Sequence, residues 1–105
     1  MQVQLPIGRQ IEMLGAPPPT VQGSDGLRAM QVRDLLMKRI PIAAAQDKDR
    51  ALRLWNIGLD MDKEEGDVFE MSKADCELLR GAVVIPNLEV WARVNLDQAF
   101  DEALK

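Results

Sequence analysis

The sequence contains no histidine and no tyrosine, and only one cysteine, Cys76, among its 105 residues. Without histidine, the chain lacks the side chain that most often acts as a general base and binds metal ions. A single cysteine excludes a disulfide within the chain and a zinc site built from several thiolates. These absences remove several common classes of active site before any motif is considered.

Long apolar runs are also missing, although 47% of the residues are hydrophobic. No segment approaches the ~20 continuous apolar residues of a membrane-crossing helix. The first six residues lack the basic stretch and apolar core of a secretory signal. We therefore expect a soluble protein of a reducing cytoplasm, without a membrane partner.

The charge is acidic overall, since 13 basic and 17 acidic side chains give a net charge of −4. Residues 27–46 are weakly basic, whereas residues 66–105 carry an excess of carboxylates. An acidic surface repels phosphates, and aromatic residues on which bases stack make up only 4% of the chain. The sequence therefore predicts no nucleic-acid partner.

The first 26 residues are typical of extended structure and loops. Three consecutive prolines at 17–19 favour a rigid extended spacer over a ligand for proline-binding domains. Turn-forming residues follow at 23–26. We interpret residues 1–26 as an extended arm or short β-hairpin and residues 27–105 as a helical domain. The apolar residues at the start of the arm alternate with the period of a half-buried strand: Val3, Leu5 and Ile7.

Two helices are predicted in the first part of the helical domain. Pro41 lacks an amide donor and is expected to end the first helix at Ile40. The second helix is expected to run from a cap at Asp47 to a terminator at Gly66. Gly58, inside this helix, indicates close approach by a neighbouring element.

A short strand and two further helices complete the predicted architecture. Residues 68–71 are rich in strand formers and are placed to pair with the N-terminal arm. Ser72 is expected to cap the third helix and Asn87 the fourth. The fold class is therefore predicted as mainly α, with an extended arm or hairpin, four short helices and a small strand.

Acidic residues are densest around the end of the predicted second helix. They begin with the spacing of a calcium-binding loop, but Glu65 stands where that loop needs glycine and Met71 where it needs a bidentate glutamate. We interpret the run as a solvated helix end and keep a hydrolase as a remote alternative, to be tested by Asp62→Ala.

Cys76 lies near a helix N-terminus, which favours a reactive thiolate. However, Asp75 and Glu77 flank it with negative charge and no histidine is present to act as a base. Glycine-rich phosphate-binding motifs are also absent. The sequence predicts no catalytic residue, no cofactor and no metal site.

The order of several segments resembles a known group of proteins. Residues 30–36 are similar to a strand–cap–helix phrase, L-T-L-R-D-L-L, of small proteins encoded in the structural gene clusters of tailed phages. Residues 50–59 resemble the amphipathic second helix of these proteins, and residues 70–79 resemble their phrase E-L-S-A-E-D-x-x-L-L. The last similar segment is residues 91–94, which precede a closing amphipathic stretch. Gln31 departs from this pattern, because the group has threonine there. The resemblance implies a protein of virion morphogenesis, such as a tail assembly chaperone or an accessory protein.

Our first hypothesis is therefore a non-enzymatic phage protein that acts in tail or head–tail assembly through protein contacts. It would bind phage structural proteins or associate with itself, in the bacterial host cytoplasm or in the virion. The alternative is a small acidic regulatory protein that binds and inhibits a host or phage protein. The residues predicted to contact a partner are apolar positions of the arm and surplus apolar positions of the helices: Val3, Leu5, Ile7, Leu54, Ile57 and Val90.

Overall fold

The computed structural model describes residues 1–105 and contains four helices and two separate pairs of antiparallel strands. About half of the residues are helical, which makes the fold a small mixed α/β structure rather than a purely helical one. Along the chain the elements are β1 (Gln2–Leu5), β2 (Thr20–Gly23), β3 (Gly26–Ala29), α1 (Val32–Gln46), α2 (Ala51–Asp62), β4 (Phe69–Ser72), α3 (Lys73–Val83) and α4 (Val90–Ala103).

The pairing of β1 with β4 joins the N-terminus to the middle of the chain. The two strands are antiparallel, with Gln2 opposite Ser72 and Leu5 opposite Phe69. The alternation in β1 turns Leu5 into the core and leaves Gln2 and Gln4 exposed. The prediction of a short strand near residues 68–71 that pairs with the N-terminal arm is thereby confirmed.

The second strand pair is the β2–β3 hairpin, in which Thr20 faces Ala29 and Gly23 faces Gly26. Gly26 has φ +114°, a backbone conformation that residues with a Cβ rarely adopt. The turn cluster predicted at 23–26 is confirmed. It lies inside the hairpin, however, so it does not separate an arm from a helical domain.

The N-terminal segment is part of the main core, which corrects the predicted division at residue 26. Leu5, Ile7 and Ile11 are fully buried in one cluster with residues of all four helices. The segment also satisfies the first amides of α1, because the N–H groups of Val32 and Arg33 donate to the carbonyls of residues 9 and 7 over 2.9 Å each. The alternating apolar residues at the start of the chain therefore belong to the core of the fold and not to a separate arm.

Asn95 anchors the next part of this segment to α4. It is the one buried polar residue of the chain. Its Oδ1 accepts from the amide of Glu12 over 2.9 Å, and its Nδ2 donates to the carbonyl of Glu12 over 2.9 Å and to that of Trp91 over 2.6 Å. One side-chain amide thus pairs with the backbone of residue 12 as a neighbouring strand would.

Helix α1 continues through Pro41 to Gln46, so the predicted stop at Ile40 is wrong. A proline inside a helix removes one hydrogen bond and costs about 3 kcal/mol. Here Pro41 lies on the exposed side, while Ile40 and Ala43 on the inner side are buried in the core. Because buried residues lie both before and after the proline, their packing in the core stabilises the helix across it.

Helix α2 is shorter than predicted at both ends. Asp47 forms a turn before the helix, in which it accepts hydrogen bonds from the amide of Arg50 over 3.2 Å and from its Nε over 2.5 Å. The helix ends at Asp62, and Gly66 does not adopt the left-handed conformation of a helix terminator. Arg33 instead donates to the carbonyls of Glu64 and Gly66 and so ties the loop to α1.

Helices α3 and α4 follow the predicted order. The Oγ of Ser72 accepts from the amide of Asp75 over 3.0 Å, which confirms the predicted cap of α3. Helix α4 begins at Val90 rather than after Asn87. A turn closed by the amide of Leu88 on the carbonyl of Ile85 occupies the intervening residues. None of the four helices combines the length and apolar character that crossing a bilayer requires.

Candidate protein-contact surface

Helix α2 is apolar on two opposite sides. The inner side, with Leu54, Ile57 and Met61, is buried in the core. The outer side presents large apolar residues at spacings of three and four, so they lie on one face of the helix. These residues are Leu52, Trp55 and Leu59, which are 73%, 50% and 46% exposed.

Helix α1 extends this outer face. A shallow cavity of about 70 Å³ lies between the two helices, with Met37 and Pro41 on one side and Trp55 and Leu59 on the other. We call Met37, Pro41, Leu52, Trp55 and Leu59 the α1–α2 surface.

Gly58 lines this cavity and lies close to α1. A Cβ at this position would lie 3.2 Å from Cγ2 of Ile40, which is closer than ordinary van der Waals contact. The predicted close approach at Gly58 is thus confirmed. The absence of a side chain here allows Ile40 to pack against α2, next to the cavity that Trp55 also lines.

Carboxylates border the α1–α2 surface at the end of α2. Asp62 lines the shallow cavity, and neither Asp62 nor any other acidic residue of the run 60–67 forms an ion pair. Glu64 accepts a hydrogen bond from the amide of Gly66 over 3.3 Å. Nowhere in the chain are three or more acidic or cysteine side chains gathered as a metal ion needs them. The run is a solvated, negatively charged border.

The α3–α4 face is built differently, because its charges pair with one another. Nη2 of Arg80 donates to Oδ1 of Asp97 over 2.9 Å and to Oδ1 of Asp101 over 2.8 Å. These hydrogen bonds raise the pKa of the Arg80 guanidinium, first through Asp101 and then through Asp97. Glu102 pairs with Arg9. Much of the acidic excess noted in the C-terminal sequence is therefore neutralised within the chain.

The structure corrects most of the predicted contact residues. Four of them are core residues with at most 6% exposure, so their apolar area is already used in folding: Leu5, Ile7, Leu54 and Ile57. Val3 is half-buried and packs against the core. Only Val90, at 78% exposure, lies free at the surface, where it begins α4.

Sequence reasoning missed the α1–α2 surface, because a wide apolar stripe does not show which of its sides faces the core. In the sequence, Leu52, Trp55 and Leu59 form one side of a wide apolar stripe that also includes Leu54 and Ile57. The signal that separates the sides is Gly58, which lies among the inner residues and marks the side that approaches α1.

Cys76 is fully buried in the core. Burial raises the pKa of its thiol to about 11, an effect that Arg80 reduces and Glu77 adds to. At neutral pH the thiol is protonated, and a protonated, enclosed thiol is a poor nucleophile.

No protein-family model matches the chain, and no curated protein or solved structure matches it either. The functional argument therefore rests on the chemistry of this chain's own surface and on the sequence resemblance.

Proposed function

We propose that the protein is a non-enzymatic component of virion assembly in a tailed phage and that it acts by protein contact through the α1–α2 surface. The observation that supports this proposal most strongly is the row of exposed Leu52, Trp55 and Leu59 beside the depression at Gly58. The phage context comes from the resemblance of residues 30–36, 50–59 and 70–79 to proteins of phage structural gene clusters.

The composition of the α1–α2 surface favours a protein partner. Contiguous apolar patches on small proteins mark interaction sites more often than scattered apolar residues do. Tryptophan is among the residues that contribute most to binding when they are buried at an interface. The half-exposed Trp55 beside a shallow depression offers such an anchor. Asp62 adds a polar border, as is common at the rim of protein interfaces.

Co-expression with the products of neighbouring genes tests the proposal. We expect the protein to co-purify with a tail or head–tail structural protein. Recovery with a repressor, polymerase or nuclease instead would overturn the assembly role in favour of the acidic regulatory alternative. Detection in purified particles, or only in host lysate, separates a virion component from a cytoplasmic assembly factor.

A matched pair of variants connects the partner to the surface. Leu52 on α2 and Leu27 on β3 are both 73% exposed, so replacing either by glutamate adds the same charge at equal exposure. We expect Leu52→Glu to abolish co-purification, because it places a charge in the apolar contact. Leu27→Glu should retain the partner. Equal retention by both variants would contradict the assignment of the contact to the α1–α2 surface.

In our proposal, the alternative partner at the α1–α2 surface is a second copy of this chain. Deletion of the first 25 residues is not a usable test, because it removes the core residues Leu5, Ile7 and Ile11. Light scattering of the full chain against Leu52→Glu is the appropriate measurement. A mass that is larger than that of the monomer and falls in the variant would identify a second copy as the partner.

A further inference from the structure

A second groove lies on another side of α1, where the start of α4 approaches it. Its volume is about 380 Å³, within the range of pockets that bind ligands. It shares no lining residue with the cavity of the α1–α2 surface. Apolar side chains from α1, from α4 and from the turn before α4 line the groove and include Leu35, Ile42, Leu88 and Trp91. We call this the α1–α4 groove.

Two cations line the α1–α4 groove without a partner in the chain. Lys38 and Arg39 form no ion pair and donate no side-chain hydrogen bond. Five of the eight arginines pair with carboxylates, whereas Arg39 and all of the lysines form no ion pair: the paired arginines are Arg9, Arg28, Arg50, Arg53 and Arg80. The groove therefore holds two unpaired cations beside the carboxylate of Glu89, on a protein whose net charge is −4.

Arg39 also has an unmet hydrogen-bond requirement. Its Nε is buried and has no acceptor. This Nε is enclosed by the protein, whereas the Nη atoms of Arg39 are not enclosed and also have no acceptor in the chain. A carboxylate suits the guanidinium group best, because its two oxygens match the fork of N–H donors.

The groove's own carboxylate is already engaged. Glu89 accepts a hydrogen bond from the indole Nε1 of Trp91 and is not paired with Lys38 or Arg39.

We infer that the α1–α4 groove binds an acidic peptide segment of another protein, with carboxylates on Lys38 and Arg39 and an apolar side chain against Trp91. Charge complementarity selects an acidic partner, and the apolar walls select a segment with large apolar side chains between its carboxylates. This inference goes beyond the proposed function, because it concerns a different surface and a different ligand chemistry.

The fluorescence of Trp91 gives a direct test. The chain has two tryptophans, so Trp55→Phe leaves Trp91 as the only indole and lies outside the groove. We titrate this protein with a short peptide that alternates leucine with glutamate and with a matched peptide that alternates leucine with lysine. We expect a saturable emission change with the glutamate peptide only. Equal binding of both peptides, or no binding of either, would overturn the inference.

Charge variants locate the binding. Removing both groove cations, by Lys38→Gln with Arg39→Gln, should weaken binding of the glutamate peptide by about tenfold or more. The matched control removes the exposed cations Lys48 and Lys73, which lie outside the groove. An equal loss in this control would show attraction to the overall charge and would overturn the inference.

Two further measurements complete the test. Lys38 is exposed, so Lys38→Gln alone preserves the fold and should still lower the affinity severalfold if the double variant does not fold. Tighter binding of a single-stranded oligonucleotide than of the glutamate peptide would assign the groove to nucleic acid and would also overturn the inference.

Discussion

The α1–α2 face and the α3–α4 face present different kinds of residue to solvent, since the first is largely apolar and the second carries charges that pair with one another. On α1 and α2 the outward residues include Trp55 and Leu59, which pair with no other side chain and remain about half-exposed. On α3 and α4 Arg80 bridges Asp97 and Asp101, so the outward residues satisfy one another. Both helix pairs close the same core, but the exposed apolar residues of α2 are larger (Leu52, Trp55 and Leu59) than those of α4 (Val90 and Val94).

This difference shows where a partner protein gains most from binding. Burying the α1–α2 surface removes apolar area from water at about 25 cal/mol per Å². Binding over the α3–α4 face would require charged groups that already have partners to lose water or exchange partners, and the net gain from such exchange is small. The acidic half of the sequence is therefore the less favourable place for a contact.

The largest expected effect on the free energy of unfolding distinguishes the buried side of α2 from its exposed side. Leu54 is fully buried and Leu52 is 73% exposed on the same helix. Leu54→Ala should lower the free energy of unfolding by about 2–5 kcal/mol, because it leaves a cavity in the core. Leu52→Ala should change it by about 0.5 kcal/mol or less. Urea denaturation measures both, and similar losses would contradict the division of α2 into a core side and a contact side.

The next effect concerns the buried amide of α4. Asn95→Ala leaves the amide and carbonyl of Glu12 without their partner and should cost about 1–3 kcal/mol in unfolding free energy. Asn56→Ala is the control, since Asn56 is an exposed residue of α2 and its loss should stay within about 0.5 kcal/mol. Equal losses would show that Asn95 does not hold the N-terminal segment against α4.

We expect the ion pair between Arg28 of the β2–β3 hairpin and Asp34 of α1 to make a pH-dependent contribution to stability. Both Nη atoms of Arg28 donate to the carboxylate of Asp34 over 2.8 Å, and so does the amide of Gln31. Burial alone would raise the pKa of Asp34, but these donors hold it below its ordinary value. A lowered folded-state pKa gives stability that is present above the unfolded-state pKa and lost as pH falls through the folded-state pKa.

Asp34→Asn should therefore flatten the acid side of the stability profile, measured as thermal unfolding at a series of pH values. Asp60→Asn is the matched control, because Asp60 is exposed and has no ion pair. If the control flattened the profile as strongly as Asp34→Asn, the Arg28–Asp34 pair would not be its cause.

The smallest effect concerns the charges of the α3–α4 face. Arg80→Gln removes ion pairs that are largely open to solvent and should cost at most about 1 kcal/mol. The difference from the unmodified protein should shrink in high salt, which screens exposed pairs. A loss that stays constant with salt would show that the Arg80 side chain acts through packing instead.

The local signals in the sequence were sufficient for parts of the fold. The strand character of β1 and β4, the turn at 23–26 and the cap at Ser72 depend on residues whose preferences are decided within a few positions. The continuation of α1 through Pro41 could not be predicted in this way, because it depends on burial of Ile40 and Ala43 in the common core, which no local pattern reports.

The candidate site was less predictable than the fold. Leu5 and Ile7 have the alternation of an exposed strand edge, and only their contacts with distant helices show that they belong to the core. Likewise, Leu54 and Leu52 are two residues apart and chemically identical, yet one is buried and the other exposed. Which side of an apolar helix faces outward is decided by the tertiary arrangement.

Site-specific photo-cross-linking tests the central claim most directly. A photoreactive amino acid is placed at position 52 or position 27 of the protein, which is then co-expressed with the neighbouring gene product that co-purifies with it. We predict a covalent adduct with the partner from Leu52 on the α1–α2 surface and none from the equally exposed Leu27. An adduct from position 27 without one from position 52 would contradict the account.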